Sequence, residues 1–205
     1  MRLQTRAMYT TLAVAGALFA SSGMSEEKGN KTRADSLNKE EMMKRAQALS
    51  QPGAQHKALD ALVGDWEVNG RCWMDSSSPP TENRGSANVR WILNGRFVQE
   101  DFNGEVMGKP FKGMSLTGYD NVKKKYVGSW VDDMGTGIFV TEGAADGSGK
   151  VFTFEGKVAD PMTGELDKRM KYVIRIVDAN KHTFEMHDLS RGQNTKSMEL
   201  TYTRK

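Results

Sequence analysis

The chain has 205 residues, 38% of them apolar, a length suited to one globular domain with appendages. Its formal net charge is only +3, and Lys and Arg alternate with Asp and Glu along the chain. Because no basic stripe forms that could follow a phosphate backbone, nucleic acid is excluded as the expected partner.

The N-terminus has the pattern of a secretory signal. Arg2 and Arg6 precede an uncharged, mostly apolar run from residue 7 to residue 20, and small residues follow up to Gly23. The run is short for a membrane span, which needs about 20 apolar residues. We therefore predict a signal peptide over residues 1–23, export to the periplasm or the medium, and no stable membrane span after cleavage. The alternative is an uncleaved N-terminal anchor.

Residues 24–36 are polar and lack aromatic side chains, as is typical of a flexible linker. Short helices are expected over residues 37–63. Asn38 is a good N-cap, with Glu41 placed to complete a capping box, and a second helical turn is predicted from His56 to Val63. We expect these helices to pack on the outside of the following domain or across one of its ends.

From residue 64 to residue 205 the hydrophobic period changes from helical to alternating. Turn sequences such as Asn94-Gly95 separate the alternating runs, and the connections are mostly too short for crossover helices, so neighbouring strands should pair antiparallel. About ten strands are predicted: Trp66–Met74, Ser86–Leu93, Phe97–Glu105, Phe111–Tyr119, Lys125–Asp132, Gly137–Ala144, Val151–Ala159, Lys168–Val177, Thr183–Leu189 and Thr195–Arg204.

The alternation indicates an all-β domain, an antiparallel up-and-down barrel of about ten strands. Met170, Tyr172, Ile174 and Ile176 share one face of their strand, as expected of a wall with one buried side. Closing the sheet removes two exposed edges, which favours a barrel, although a two-sheet sandwich has similar strand patterns. A barrel this wide is expected to contain a cavity.

Four glycines and the single cysteine are expected to affect the shape and packing of the barrel interior. Gly70, Gly113, Gly128 and Gly156 either enlarge the cavity or mark bends in the strands. Cys72 is the only cysteine, so an intrachain disulfide is excluded; its alternation with Trp66 favours a buried structural residue over a reactive thiol.

Two sets of residues indicate a family. Gly64-Asp65-Trp66 at the first strand and Arg204 on the last resemble the calycin signature, in which a tryptophan packs under a cation from the final strand. Further segments from about Pro52 to the end resemble the bacterial DUF1579 family, a lipocalin-like group of unknown function. The resemblance implies a lipocalin-like barrel and offers no catalytic residue. The segments include Leu116-Thr117-Gly118-Tyr119-Asp120-Asn121, Asp160-Pro161-Met162-Thr163-Gly164 and Met198-Glu199-Leu200-Thr201-Tyr202.

Two carboxylate pairs are the main candidates for chemistry. Asp132-Asp133 lies in a glycine-containing connection that either orients a polar ligand group, binds calcium weakly, or is a plain hairpin turn. One of Glu100 and Asp101 must point inward in a regular strand, and burial would raise its pKa. The full predicted ligand-binding set is Trp91, Glu100, Phe102, Met107, Tyr119, Trp130, Asp132, Met134 and Phe154.

The histidines do not have metal-ligand spacing. His182 and His187 are an odd number of residues apart and should face opposite sides of their strand, with His187 expected at the surface. The sequence thus predicts no metal site, no cofactor and no catalytic residue.

Three functions remain open. The first is an exported module that binds a small apolar molecule inside the barrel. The second is an envelope interaction protein, and the third an enzyme that uses Glu100 or Asp132 as a general acid or base. Neither the ligand nor the oligomeric state follows from the sequence.

Overall fold

The computed structural model describes residues 38–73, 79–106, 108–190 and 195–205. The predicted signal peptide (1–23) and linker (24–36) lie outside these residues. From Glu40 onward the described chain forms one compact unit. Within the described residues no helix is long and apolar enough to cross a membrane.

Both predicted helical segments are present. Helix α1 spans Lys39–Leu49, α2 spans Ala54–Lys57, and a 3-10 helix follows over Ala58–Leu62. No side chain of α1 is buried, whereas Leu59 and Leu62 of the 3-10 helix are in the core. The amide Nδ2 of Asn121 donates to the carbonyl oxygen of Leu49 at 2.8 Å and so satisfies a carbonyl at the end of α1.

The strands form one closed barrel, as the alternation predicts, and the two-sheet sandwich is excluded. Every pair of neighbours is antiparallel, and β1 closes the ring by pairing with β10. The strands are β1 Gly64–Cys72, β2 Thr81–Ile92, β3 Phe97–Val106, β4 Lys109–Asp120, β5 Lys125–Asp132, β6 Phe139–Ala145, β7 Val151–Val158, β8 Lys168–Asp178, β9 Lys181–Asp188 and β10 Thr195–Arg204.

The register places the same alternating set inward all the way round. Trp66 of β1 lies opposite Ala87 of β2, and Ala87 lies opposite Phe102 of β3. The predicted inner face of β8, from Met170 to Ile176, points inward by the same pairing. One buried face per strand is therefore enough to specify the register of the whole ring.

The four glycines flagged in the sequence all point inward, but they do not leave empty space. A Cβ on Gly70 would overlap the Leu200 side chain, and a Cβ on Gly113 would overlap the Trp130 ring. At Gly128 and Gly156 the nearest obstacles are Thr141 and the carbonyl oxygen of Val140. Each glycine lets a neighbouring strand or side chain pack closely against the wall.

The end of the barrel where β1 begins is covered by the 3-10 helix and closed by Trp66. The indole Nε1 of Trp66 donates to the carbonyl oxygen of Leu62 at 2.8 Å. The guanidinium carbon of Arg204 lies 4.2 Å from the Trp66 ring centroid, which is the predicted cation–π contact. We call this end the covered end. The opposite end is named the open end as a label only, because residues 74–78, 107 and 191–194, which connect strands there, lie outside the described residues.

Arg204 also joins the chain segments at the covered end. It donates from Nη1 to the carbonyl oxygen of Val63 and from Nε to that of Ala179, both at 2.9 Å. Gly64 has φ +141°, and a Cβ there would overlap the guanidinium. The Gly64-Asp65-Trp66 motif therefore has a steric reason for its glycine.

We expect Arg204→Ala to lower the free energy of unfolding by about 1–3 kcal/mol, because it removes a cation–π contact and leaves two carbonyl groups without their donor. Chemical denaturation followed by far-UV circular dichroism measures this change. Arg175→Ala, at an exposed position on the outer face of β8, is the matched control and should have little effect. Equal effects of the two substitutions would contradict the role assigned to Arg204.

Candidate ligand cavity

Aromatic side chains dominate the open half of the interior. The Phe111 and Trp130 rings are stacked, with centroids 6.3 Å apart, and Phe102 lies 5.9 Å from Phe111. Trp130 rests over Gly113, which explains why a glycine is needed there. Its Nε1 donates to Oδ2 of Asp132 at 2.8 Å, so the indole is held in one orientation.

A second aromatic group continues along the wall from Phe139. Tyr172 lies 5.0 Å from Phe139 and 5.0 Å from Phe184, measured between ring centroids. Burial, with a smaller contribution from the nearby Asp132 charge, raises the pKa of Tyr172 well above its usual range. Its hydroxyl therefore stays protonated at physiological pH.

Glu100 is the polar group at the middle of the barrel. It points inward from β3, opposite Ser115 of β4. The Tyr202 hydroxyl donates to Oε1 at 3.0 Å and the Ser115 hydroxyl donates to Oε2 at 3.2 Å. Burial raises the pKa of Glu100, although both hydrogen bonds act in the opposite direction.

His182 adjoins this group on the side of the covered end. Its ring stacks on Tyr202 with centroids 4.2 Å apart and meets Trp66 edge-on at 4.4 Å. Burial, aided by the charge of Arg204, lowers the pKa of His182 to about 4, so the ring is neutral at pH 7. Its buried Nδ1 has no hydrogen-bond partner among the described residues.

A cation held by two carboxylates lies at the open end. Lys168 Nζ is 2.8 Å from Asp160 Oδ2 and 3.1 Å from Asp188 Oδ2, and all three side chains are largely buried. The Lys168 hydrogen bond, together with a backbone donor from Met162, lowers the pKa of Asp160 to about 2. The loop between β7 and β8 is thus tied to the barrel wall by charge.

Several side chains that point into the open half are not fully buried. Phe102, Phe111, Trp130, Phe184 and Leu200 all lie on the inward register, yet each is only partly buried. Incomplete burial of inward apolar side chains is the feature expected where a ligand could cover them. The open half is therefore the candidate ligand cavity.

The structure brings together four of the nine predicted site residues in that half: Glu100, Phe102, Trp130 and Asp132. Phe154 is buried in the core against Tyr126. Met107 lies outside the described residues. The other three lie elsewhere: Trp91, whose Nε1 donates to Asp60 of the 3-10 helix; Tyr119, against Tyr126 near the covered end; and Met134, in a loop with 70% of its surface exposed.

In each of the two carboxylate pairs, one side chain faces the interior and the other faces outward. In the first pair Glu100 points inward, while Asp101 points outward and pairs with Arg90. In the second, Asp132 faces the interior, while Asp133 accepts the backbone N–H of Lys112 on the outside. Alternation along a strand separates the members of each pair, so neither acts as a joint site.

The expectation for His187 is wrong, because its side chain is buried rather than at the surface. It faces the opposite side of β9 from His182, as the spacing predicts, and its Nε2 lies 3.4 Å from Oε2 of Glu185. No group of three or more His, Cys, Asp or Glu residues in the described chain could hold a metal ion.

Sequence reasoning missed Tyr202, Ser115 and Tyr172 as cavity residues. Each lies on the inward register of its strand, so the alternation of its strand is the signal that could have found it. The contact between Tyr202 and Glu100 joins residues 102 positions apart in the chain. Strand order around a closed ring, rather than any local motif, brings these two side chains together.

The described chain is thus a closed antiparallel barrel with one covered end. The family described as "protein of unknown function (DUF1579)" matches residues 51–204. The chain belongs to that family, in agreement with the resemblance found in its sequence. No curated protein matches the sequence.

Solved structures give a similar result for the fold. The crystal structure of Rv2717c from M. tuberculosis is similar with a TM-score of 0.53 and 16% identity, covering 76% of this chain and 99% of that chain. At this identity the similarity supports the fold alone. A redesigned β barrel, b11L5F_LGL, has a TM-score of 0.38 and 11% identity, covering 72% of this chain and 95% of that chain.

A structure of EF1p2_mFAP2b bound to DFHBI has a TM-score of 0.39 and 12% identity, covering 74% of this chain and all of that chain (100%). The TM-scores of EF1p2_mFAP2b and of the redesigned barrel are too low to support any inference about the present chain.

Glu100→Gln should change how stability depends on pH. Because the folded pKa of Glu100 is raised above its ordinary 4.5, wild type loses stability as pH rises from 4.5 towards the folded value. Glutamine does not titrate. We expect the stability of the variant relative to wild type to increase between pH 4 and pH 8, as measured by urea denaturation at each pH.

Asp101→Asn is the matched control on the same strand. Its partner Arg90 lowers the pKa of Asp101, so the carboxylate contributes stability above its ordinary pKa and loses it as pH falls. The pH dependence of this variant, relative to wild type, should be absent or opposite in sign. The same positive trend in both variants would contradict the burial of Glu100.

Proposed function

We propose that this protein is an exported, lipocalin-like carrier that binds a small, largely apolar molecule inside its barrel. The observation that carries the proposal is the incomplete burial of Phe102, Phe111, Trp130, Phe184 and Leu200, all of which face the interior. An apolar ligand seated there would gain about 25 cal/mol for each Å² of apolar surface removed from water. Export rests on the predicted signal peptide over residues 1–23.

The arrangement of polar groups supports a carrier as well. Phe102, Phe111 and Trp130 line part of the open half, and Glu100 supplies a fixed polar group at its inner limit. Ligand cavities commonly combine an apolar lining with a few oriented polar groups. Asp132 is engaged by Trp130 and by the backbone N–H of Met134, so its role is to orient the cavity wall.

The test uses N-phenyl-1-naphthylamine, a neutral apolar dye that fluoresces when buried. We expect saturable binding to one site, and we expect Met198→Trp, which puts a larger side chain into the open half, to weaken it on the order of tenfold. Thr203→Trp, at an exposed outward position on the same strand, is the matched control. Dye binding that is absent, or equally affected by both substitutions, would refute the proposal.

An enzyme that uses Glu100 is separated from a carrier by the fate of the ligand. Native mass spectrometry of protein purified from its own cell envelope identifies any bound molecule. A carrier returns that molecule chemically unchanged after prolonged incubation, whereas an enzyme converts it.

A further inference from the structure

No cation among the described residues pairs with Glu100. None of the ion pairs among the described residues includes Glu100. The groups that face it are the Tyr202 hydroxyl from β10 and the Ser115 hydroxyl from β4, and its neighbour Asp101 points outward. On β2 its partner across the strands is Val89, an apolar residue.

The inward-register cations of the described chain lie toward the two ends of the barrel. Arg204 lies over Trp66 at the covered end, and Lys168 is held between Asp160 and Asp188 at the open end. Lys109 is exposed where β4 begins. Among the described inward-register residues of the open half, the acidic groups Glu100, Asp132 and Asp188 outnumber the basic groups Lys109 and Lys168, although the whole chain has a net charge of +3.

The carboxylate of Glu100 also retains unused hydrogen-bonding capacity. An ionised carboxylate has about four acceptor positions. Among the described residues one hydroxyl donates to each of its oxygens, so acceptor positions remain for further N–H donors. A donor that also carries a positive charge would compensate the buried carboxylate, whereas a second anion would be repelled.

The aromatic side chains of the barrel wall would also favour a positively charged ligand. Aromatic faces attract ammonium groups when these are removed from water. Phe102, Phe111 and Trp130 form one aromatic group, and Phe139, Tyr172 and Phe184 form another, both on the inner surface of the barrel. An apolar body would be buried among these rings.

From this geometry we infer that the ligand is a small organic cation, an amine with an apolar body, whose ammonium group binds Glu100. The inference deepens the proposed carrier function and rests on it. It assigns Glu100 the role of selecting the ligand by charge, with Tyr202 and Ser115 holding the carboxylate in place.

The experiment compares three probes with the same flexible apolar chain and different charge: 1-octylamine, 1-octanol and octanoate. Each displaces N-phenyl-1-naphthylamine in competition assays and is measured directly by titration calorimetry at pH 8. We expect octylammonium to bind at least about tenfold more tightly than either of the others. Octanol or octanoate binding equally well would overturn the inference.

Glu100→Gln should remove the preference for octylammonium over octanol, and Asp101→Asn, on the outer face of the same strand, should leave that preference intact. Wild type alone gives a second measurement. As the pH is lowered through the raised pKa of Glu100, the carboxylate takes up a proton and octylammonium affinity should fall, whereas octanol affinity should not. A preference that survives Glu100→Gln, or that does not change with pH, would overturn the assignment to Glu100.

The results also separate the two proposals. If the dye and octanol bind but octylammonium binds no better, the charge assignment fails and the carrier function stands. If neither the dye nor any octyl probe binds, both fail.

Discussion

The pairing of β1 with β10 is the constraint on which the rest of the structure depends. Once these strands join, every strand has two hydrogen-bonded neighbours, and the inward register is fixed around the whole ring. Trp66 and Arg204 lie opposite each other across this pair, so the same closure places the guanidinium over the indole. The 3-10 helix then covers this end through the hydrogen bond from Trp66 to Leu62.

Closure also separates the barrel into two chemically different halves. At the covered end, aromatic and aliphatic side chains pack to full burial, as at Trp66, Leu59 and Phe152. Toward the open end, the Trp130 ring lies against Gly113 in the wall, and several inward side chains are only partly buried. Glu100, Tyr202 and His182 lie at the transition, where the Tyr202 hydroxyl donates to Glu100 and the His182 ring stacks on Tyr202.

Most of the fold could be predicted because its signals are local. Period-two alternation, turn sequences such as Asn94-Gly95 and the helix ahead of Pro52 each depend on a few adjacent residues. Strand bounds were less well specified: β2 begins at Thr81 rather than Ser86, because the polar residues from Thr81 to Arg84 pair with β1 through their backbone. Backbone hydrogen bonding of this kind leaves no hydrophobic pattern.

The site was only partly predictable, for a different reason. Parity along a strand indicates that only one of Glu100 and Asp101 faces inward, and the structure shows that this residue is Glu100. Parity does not give height along the barrel axis, so Trp91 and Tyr119 were grouped with residues of the opposite end. The partner of Glu100 comes from the last strand, and the burial of His187 arises on the outer face, where alternation predicts exposure.

Closing the barrel brings together residues that are far apart in the sequence, and this affects how the chain folds. Arg204 donates a hydrogen bond to Val63 across 141 positions of the chain, and β10 is the last strand of the ring. Contacts so distant in sequence raise the entropic cost of the folding transition state and slow folding. Because β1 pairs with β10, the ring cannot close before its last strand has been made, and until then β1 has only one neighbouring strand.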